Sequence, residues 1–491
     1  MKNYVYILFV SLLTQSCLVV KEYRRPNLDV PEKFRGFKDM DTIFMAIMPW
    51  EELFKDPLLR GYIDEALVNN YDQRLSLQNV YRSQALYQEG RAGYIPTLNI
   101  NAMASSTDFS ENSFQGQQAS GQGNQSGGGN DMGRIAQYDL TGTLDWEIDL
   151  WGGITSNKKA TAAAYLQSEA GQRLVKTIII ANVASQYYLL TALDEQLEIA
   201  KLAVESRKNA YEVTQKLKQA GQEREVAVQQ AGSQLKTAEL LALDLKLRVK
   251  QAENAMCVLL GKNPQTIERG EIGSEYPTAQ INLGIPSALL RNRPDVLQAE
   301  YNLTNAFERT NVAKTDFYPK LNLGASAGLR SLNASDWISS ASLFNSIMGG
   351  LAQPILNRRK LRTNYEVARI NQETASLEFK QTLLVAYREV SDALYTYRIR
   401  ADQYKVQGEQ MEFLQNATDY SFKLYQSGLT NYLDVLIADT NKLNAHIELV
   451  NLKFDGLQAT IDLYRALGGG WNKIIDPAET MLKRDKDREK E

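Results

Sequence analysis

The sequence predicts an α+β membrane protein in which each chain gives four β-strands to a barrel shared among copies. Long coiled-coil helices complete it, in two internal structural repeats. Three observations carry this reading. Residues 138–151, YDLTGTLDWEIDLW, alternate apolar and polar side chains at period two, the mark of a strand with two unlike faces. The alternation outlasts the roughly 5–6 residues of an ordinary soluble strand and reaches the roughly 9–11 of a membrane-barrel strand. No proline occurs between Pro96 and Pro264 or between Pro354 and Pro477, which leaves room for rods on the order of 90–100 Å. Finally, Asp72 precedes Pro96 by 24 positions and Asp295 precedes Pro319 by 24, while Gly221 and Gly261 stand 40 apart, as do Gly428 and Gly468.

From the N-terminus, residues 1–16 read as a signal peptide: Lys2, then the apolar run Tyr4–Leu13, then small and polar residues. Cys17 follows directly in LLTQSC, which resembles the acylation site of a bacterial lipoprotein; residues 17–56 then form a lipidated N-terminal segment. The other cysteine, Cys257, lies in the apolar stretch NAMCVLLG and is expected to be a buried thiol. Beyond the N-terminus no apolar run reaches the roughly 20 residues of a membrane-spanning helix.

The first repeat, 57–261, opens with a helix that ends at Pro96. Strands follow at about 97–109 and 136–151, then long helices at about 155–219 and 222–260. Leu98, Ile100, Ala102 and Ala104 alternate with Thr97, Asn99 and Asn101 in the first strand. Between the strands, QGQQASGQGNQSGGGNDMG has the composition of a long external loop. In the first long helix Ile180, Val183, Tyr187, Leu190, Leu197 and Val204 follow a 3.5-residue spacing, a coiled-coil pattern broken at Asp194 and Lys201. Residues 262–290 connect the repeats.

The second repeat, 291–468, has the same order: a helix, strands at about 320–330 and 343–356, and long helices at about 358–427 and 430–467. Its fourth strand has the least regular pattern. A polar tail, 469–491, closes the chain. Four strands cannot close a barrel, because the smallest membrane barrels have about eight and an open edge in lipid leaves backbone groups unpaired. Several chains must therefore contribute; two would give eight strands and three would give twelve.

The stretches EYRRP, DWEIDLWGGI, GIPSALLRNRPDVLQAEYNL with FYPKLNLGAS downstream, LAQPILNRRKLR, YQSGLTNYLDVL and IDLYRALGGGW resemble the TolC/OprM-type outer-membrane efflux proteins. Within these the chain is similar to the lipoprotein branch that serves resistance-nodulation-division pumps. The resemblance implies a homotrimer with a twelve-stranded barrel in the bacterial outer membrane and a helical tunnel in the periplasm. Its partners would be a periplasmic membrane-fusion adaptor and an inner-membrane resistance-nodulation-division transporter. On this resemblance Leu140, Leu144, Trp146, Ile148 and Leu150 face lipid, and Asp139, Asp145, Glu147 and Asp149 line a wet pore. The turns at Gly221 and Gly428 would meet the adaptor. Asp434 matches the first of two acids ringing the closed mouth of such channels, where three copies would attract a divalent cation; the second falls at Ile437. Tyr425 matches a latching tyrosine, but the latch partners are replaced by Thr430 and Ala227, so Glu223, Arg224 and Glu225 are the nearby groups for a different latch.

Other functional classes fit poorly. One histidine, His446, and two cysteines exclude zinc sites of the Cys/His type. The glycine runs at 127–129 and 468–470 lack the strand, helix and lysine of a phosphate loop, so neither an enzyme nor a cofactor is expected beyond the lipid on Cys17. A net charge of −3 gives no basic footprint for nucleic acid. A structural coiled-coil trimer would not need such long amphipathic strands. A duct for polypeptide secretion is the nearer alternative to a drug-efflux duct. Arg291, Arg293, Pro294 and Asp295 are read as serving the fold, with Pro294 in a first helical turn and Asp295 complementing its dipole.

Overall fold

A computed structural model describes residues 19–28, 48–110, 112–114, 134–271 and 292–471. The signal segment, Cys17, the Gly/Ser/Gln/Asn loop, Arg291, most of the connection between the repeats and the tail beyond Trp471 lie outside them. In chain order the elements are α1 (Trp50–Leu53), α2 (Pro57–Asn69), α3 (Tyr71–Ala92), β1 (Thr97–Asp108), β2 (Arg134–Ile148), α4 (Gly153–Gln219) and α5 (Glu225–Leu259). They continue with α6 (Pro294–Thr315), β3 (Lys320–Ser331), β4 (Leu343–Ala352), α7 (Lys360–Gln426) and α8 (Tyr432–Ala466). Helix lengths match between the halves: α3 and α6 have 22 residues each, α4 and α7 have 67, and α5 and α8 have 35.

The chain divides into two compact units. The first contains the sheet, ordered β1-β2-β3-β4 and antiparallel throughout. Its register sorts the side chains by face. Ala102, Leu140, Leu329 and Leu343 form one row, and Leu98, Leu144, Ala325 and Ile347 another, all on the apolar face. Asn99, Thr143 and Ser326 lie in a row on the opposite face. On β4 the alternation is blurred, with Asn345 on the apolar face and Phe344 and Met348 on the other. Within this unit small residues let helices approach: the Asn305 amide donates to the carbonyl of buried Ala160 at 2.6 Å. An N-terminal strap is fixed by Lys314, whose Nζ donates to the Val19 carbonyl at 2.8 Å, and by Asn311, which donates to that of Lys21 at 2.9 Å.

Two strands end three or more residues before the sequence expectation, and the other limits agree to within two. β2 ends at Ile148 rather than 151, because the Asp149 carboxylate turns to accept from the Ile154 and Thr155 amides at 3.2 and 2.8 Å. β4 ends at Ala352 rather than 356, just before Pro354, which has no backbone donor for a ladder. Helix α5 starts at Glu225 rather than 222, since Gln222 is still closing the preceding turn.

The second unit holds the main hydrophobic core. Among the described residues, Trp50, Leu59, Ile63, Ile180, Tyr187, Leu190, Met256, Leu260, Phe379, Leu394 and Ile461 are its fully buried large side chains. Cys257 is buried as expected, its sulfur 3.4 Å from the Gln265 amide. Arg293 is also buried; it donates to both carboxylate oxygens of Asp295 and, at 2.9 Å, to the Ala466 carbonyl at the end of α8. Glu389, which the local motif did not reveal, completes this cluster at 2.7 Å.

Each of α4, α5, α7 and α8 ends in the same way, with a glycine at positive φ: Gly221, Gly261, Gly428 and Gly468. The amides of the glycine and of the next residue fold back onto the last turn, as in Gly221 to Lys218 and Gln222 to Leu217, both at 2.9 Å. This is the Schellman cap. The four sites are not equivalent. A Cβ at Gly428 meets nothing within 4 Å, whereas at Gly468 it would lie 2.8 Å from the Asn292 carbonyl oxygen. Gly428→Ala should therefore cost only the left-handed backbone penalty, about 1–2 kcal/mol. Gly468→Ala should lower the unfolding temperature clearly more, and equal losses in a thermal melt would contradict the packing described.

Candidate functional site

Two sets of residues singled out in the sequence come together, one on the sheet and one at the helix turns. On the sheet, Asp139, Asp145 and Glu147 lie on the face opposite Leu140, Leu144 and Trp146. They are not three free acids. Asp139 is buried, paired with Arg330 directly across on β3, and accepts from the Gln137 amide at 2.6 Å. Glu147 is 3.3 Å from Lys320. Asp145 is exposed and faces Gly324.

Asp149 does not share that face, contrary to the sequence expectation. The polar alternation simply continues into a residue that caps α4, and its second carboxylate oxygen also accepts from the Thr155 hydroxyl at 2.7 Å. Aromatic side chains with polar edges mark both ends of the strands. Trp146 donates to the Tyr94 carbonyl at 2.9 Å, Trp151 to that of Pro319 at 2.7 Å, and the Trp151 and Tyr318 rings lie 5.0 Å apart. Toward the other end Tyr138 meets Trp337 at 5.9 Å. Rings of this amphipathic kind suit the boundary between hydrocarbon and water.

At the helix turns, α7 passes through Gly428 into α8. Asn431 caps α8, accepting from the Asp434 amide at 3.2 Å, and the Asp434 carboxylate in turn accepts from the Thr430 hydroxyl. Asp434 thus gives its backbone amide to the Asn431 cap and keeps an exposed carboxylate bonded to Thr430. Ile437, one turn on, is half exposed, and Leu429 and Leu433 are exposed near it.

Tyr425 is buried with Tyr432, Val435, Ala227 and Ala231, its ring meeting Tyr432 edge to face at 5.7 Å. Burial pushes the Tyr425 hydroxyl pKa up, and Glu223 adds to the shift. The Tyr432 hydroxyl is pushed up to about 12, again by burial first and then by Asp439. Both phenols therefore stay neutral through the physiological range.

The other turn, around Gly221, carries a salt bridge that uses Glu225, one of the three charged groups singled out there, with Lys218 as its partner. Lys218 pairs with Glu225 on the first turn of α5, and Gln229 donates to the same carboxylate at 2.6 Å. Those two hydrogen bonds hold the Glu225 carboxyl below its usual range. Arg224 itself sits at the helix cap without a side-chain capping bond.

Sequence reasoning missed the strongest tie in this region. Arg207 of α4 is 5 % exposed; its Nε donates to Asp439 of α8 at 3.0 Å, and its Nη1 to the Gln234 side-chain oxygen of α5 at 3.0 Å. A third bond, at 3.2 Å, reaches the Gln234 carbonyl. One guanidinium therefore fastens three helices, in the forked geometry for which arginine is suited. Its partners lie 27 and 232 residues away, so no local pattern announces it.

No cluster of His, Cys, Asp or Glu suited to a metal occurs among the described residues, and none of their helices is long and apolar enough to cross a membrane. The geometry offers an amphipathic sheet, tied helices and exposed turns. Comparison with known proteins agrees with that inventory. The family model described as outer membrane efflux protein matches residues 62–262 and 285–469. The solvent efflux pump outer membrane protein SrpC of Pseudomonas putida is 28% identical over 472 residues, 95% of this chain and 98% of that protein. The cation efflux system protein CusC of Escherichia coli K12 is 26% identical over 469 residues, with 94% and 98% covered. A crystal structure of CusC superposes with a TM-score of 0.80 at 25% identity, over 92% of this chain and all of that one. The outer-membrane channel OprN shares the fold with a TM-score of 0.83 at 24% identity, over 92% and 99%. The chain belongs to the outer membrane efflux protein family.

Proposed function

We propose that this chain is one third of a passive exit duct in the bacterial outer membrane. The observation that carries the proposal is the four-stranded sheet: among the described residues its edges β1 and β4 are unpaired, and one face is mainly apolar, most cleanly on β1 to β3. In hydrocarbon such edges must be paired. Three copies joined edge to edge give twelve strands and no edge. An uncovered stripe on α7 supports packing between copies as well, since Ile399, Val406, Phe413 and Tyr420 are solvent-accessible at heptad spacing.

In this reading Leu98, Leu140, Leu144 and Ile347 meet lipid, while Asp139, Asp145 and Glu147 face the pore, and Asp145 has no ion pair among the described residues. The long helices, arranged as two structural repeats, form the periplasmic tunnel. The turns at Gly221 and Gly428 receive a membrane-fusion adaptor, which links the duct to an inner-membrane resistance-nodulation-division transporter. Asp434 and Ile437 form the constriction, with Tyr425 packed behind it. The Arg207–Asp439 tie keeps α8 against α4 and α5, and so keeps the mouth narrow. Drugs or other small molecules are the cargo; no catalytic step or cofactor is involved beyond a lipid on Cys17.

Recording from purified protein in planar bilayers, with oligomer mass measured in the same detergent, tests the proposal. Discrete conductance from a three-chain species supports it; a trimer that never conducts, even with Asp439→Asn, would favour a structural coiled coil. Asp434→Asn keeps an acceptor for Thr430 and removes only the charge. It should weaken block by divalent cations severalfold, and unchanged block would remove Asp434 from the constriction. Cys17→Ala should yield an assembled trimer whose intact mass lacks acyl chains present on wild type; wild type without lipid would refute acylation.

A further inference from the structure

The first unit contains two strand-to-helix junctions, and their charges are opposite. At the first, Asp149 supplies an anion to the start of α4 and Gly152 takes a φ of +80°. At the second, the residue four places before α7 is Leu356 where the first junction has Asp149, and the first turn of α7 contains no acid. The chain there reads Arg358-Arg359-Lys360-Leu361-Arg362. Arg358 and Arg359 both hold left-handed backbone, with φ of 54° and 66°.

Arg359 reaches both carboxylate oxygens of Glu366 at 3.0 Å. Among the described residues no ion pair engages Arg358, Lys360 or Arg362, and all three are exposed. Immediately before them Ile355 and Leu356 are 90% and 96% exposed. Both follow the end of β4 at Ala352, whose apolar face carries Leu343, Ile347 and Leu351. On the same unit Phe317 and Tyr365 meet edge to face at 5.8 Å. An exposed apolar pair just beyond a strand of the sheet and followed at once by uncompensated cations is the arrangement of a segment seated at a bilayer surface.

We propose that this junction binds the phosphate headgroup of an anionic phospholipid, with Ile355 and Leu356 among the acyl chains and Arg358, Lys360 and Arg362 around the phosphate. The inference rests on the membrane placement of the sheet argued above. A soluble phosphate would leave the apolar pair unexplained, and acidic side chains of a second copy would not require it.

Native mass spectrometry of the detergent-purified protein tests this by titrating phosphatidylglycerol against phosphatidylcholine of the same chain length. Wild type should retain phosphatidylglycerol at least about tenfold better, since each of the three cations near an anionic surface contributes up to about fivefold. R358Q/K360Q/R362Q, which leaves Arg359 and Glu366 in place, should lose that preference. R358K/R362K should keep most of it, which guards against a loss caused by misfolding. No preference in wild type, or the same preference in the triple variant, would overturn the proposal. So would displacement of the bound lipid by inorganic phosphate at lipid-independent concentrations, or a triple variant whose oligomer mass changes while its lipid preference does not. Conductance of the same preparation separates the two readings: a conducting trimer without lipid preference sinks only this inference.

Discussion

Arg207→Ala is expected to raise the conductance of the resting channel and to lower its unfolding temperature. The substitution leaves Asp439 facing helices with its partner gone and removes two bonds from Gln234. Breaking a buried pair on one side costs about 3–5 kcal/mol, because the remaining charge is stranded. Asp439 is the more exposed partner, with a fifth of its side chain accessible, so water relieves part of the cost and the lower end is expected. Asp439→Asn should have the same direction and a smaller size. Arg207→Met with Asp439→Leu should recover stability, since replacing both partners with apolar groups strands nothing. If the tie is also the gate, that double variant should restore the resting conductance as well. Recovered stability with conductance still raised would mean that direction and charge at this point hold the mouth, rather than helix adhesion. Single variants with unchanged conductance would remove Arg207 from the gate.

Leu144→Arg should prevent assembly in the membrane, while Thr143→Arg should be tolerated. The two residues are neighbours on β2 but occupy opposite faces, Leu144 in a row with Leu98 and Ala325, Thr143 with Asn99 and Ser326. An arginine on the lipid face of a barrel costs about 2–4 kcal/mol near the midplane, and a trimer carries it three times. On the proposed pore face the same side chain would meet water. Heat-resistant oligomer on a gel, recovered from the membrane fraction, gives the readout. Equal loss for both substitutions would show that the two faces are not distinguished by lipid.

Much of this fold is legible because its rules are local. Period-two alternation in 138–148, helix-ending prolines and glycines 40 residues apart each depend on neighbours in sequence. The misreading at Asp149 has the same origin. An acid that continues an alternating pattern looks like another strand residue, and only the glycine pair after Trp151 hints that a helix is about to need a cap. Pro354 likewise marked the end of β4, though the apolar residues beyond it suggested continuation.

The candidate site was less legible. Asp434 and Tyr425 were found through resemblance, and the structure adds that one accepts from Thr430 beside the Asn431 cap and the other is buried. Arg207, Gln234 and Asp439 gave no signal, because a single ion pair between distant segments has no period. Lys218 and Glu225 could have been found, since seven residues across a glycine turn bring opposite charges together.

The matched helix lengths carry a further consequence. Deleting one residue from an α-helix turns everything beyond it by about 100° and shortens it by about 1.5 Å. In α4 such a deletion would swing Arg207 away from Asp439 and shift one turn against the other. Only losses or gains of whole heptads, made in both halves together, would keep side chains facing their partners. Length in this protein is therefore a quantity inherited in steps and in pairs, and a homologue of different reach should differ by seven residues, or a multiple, in both members of a pair.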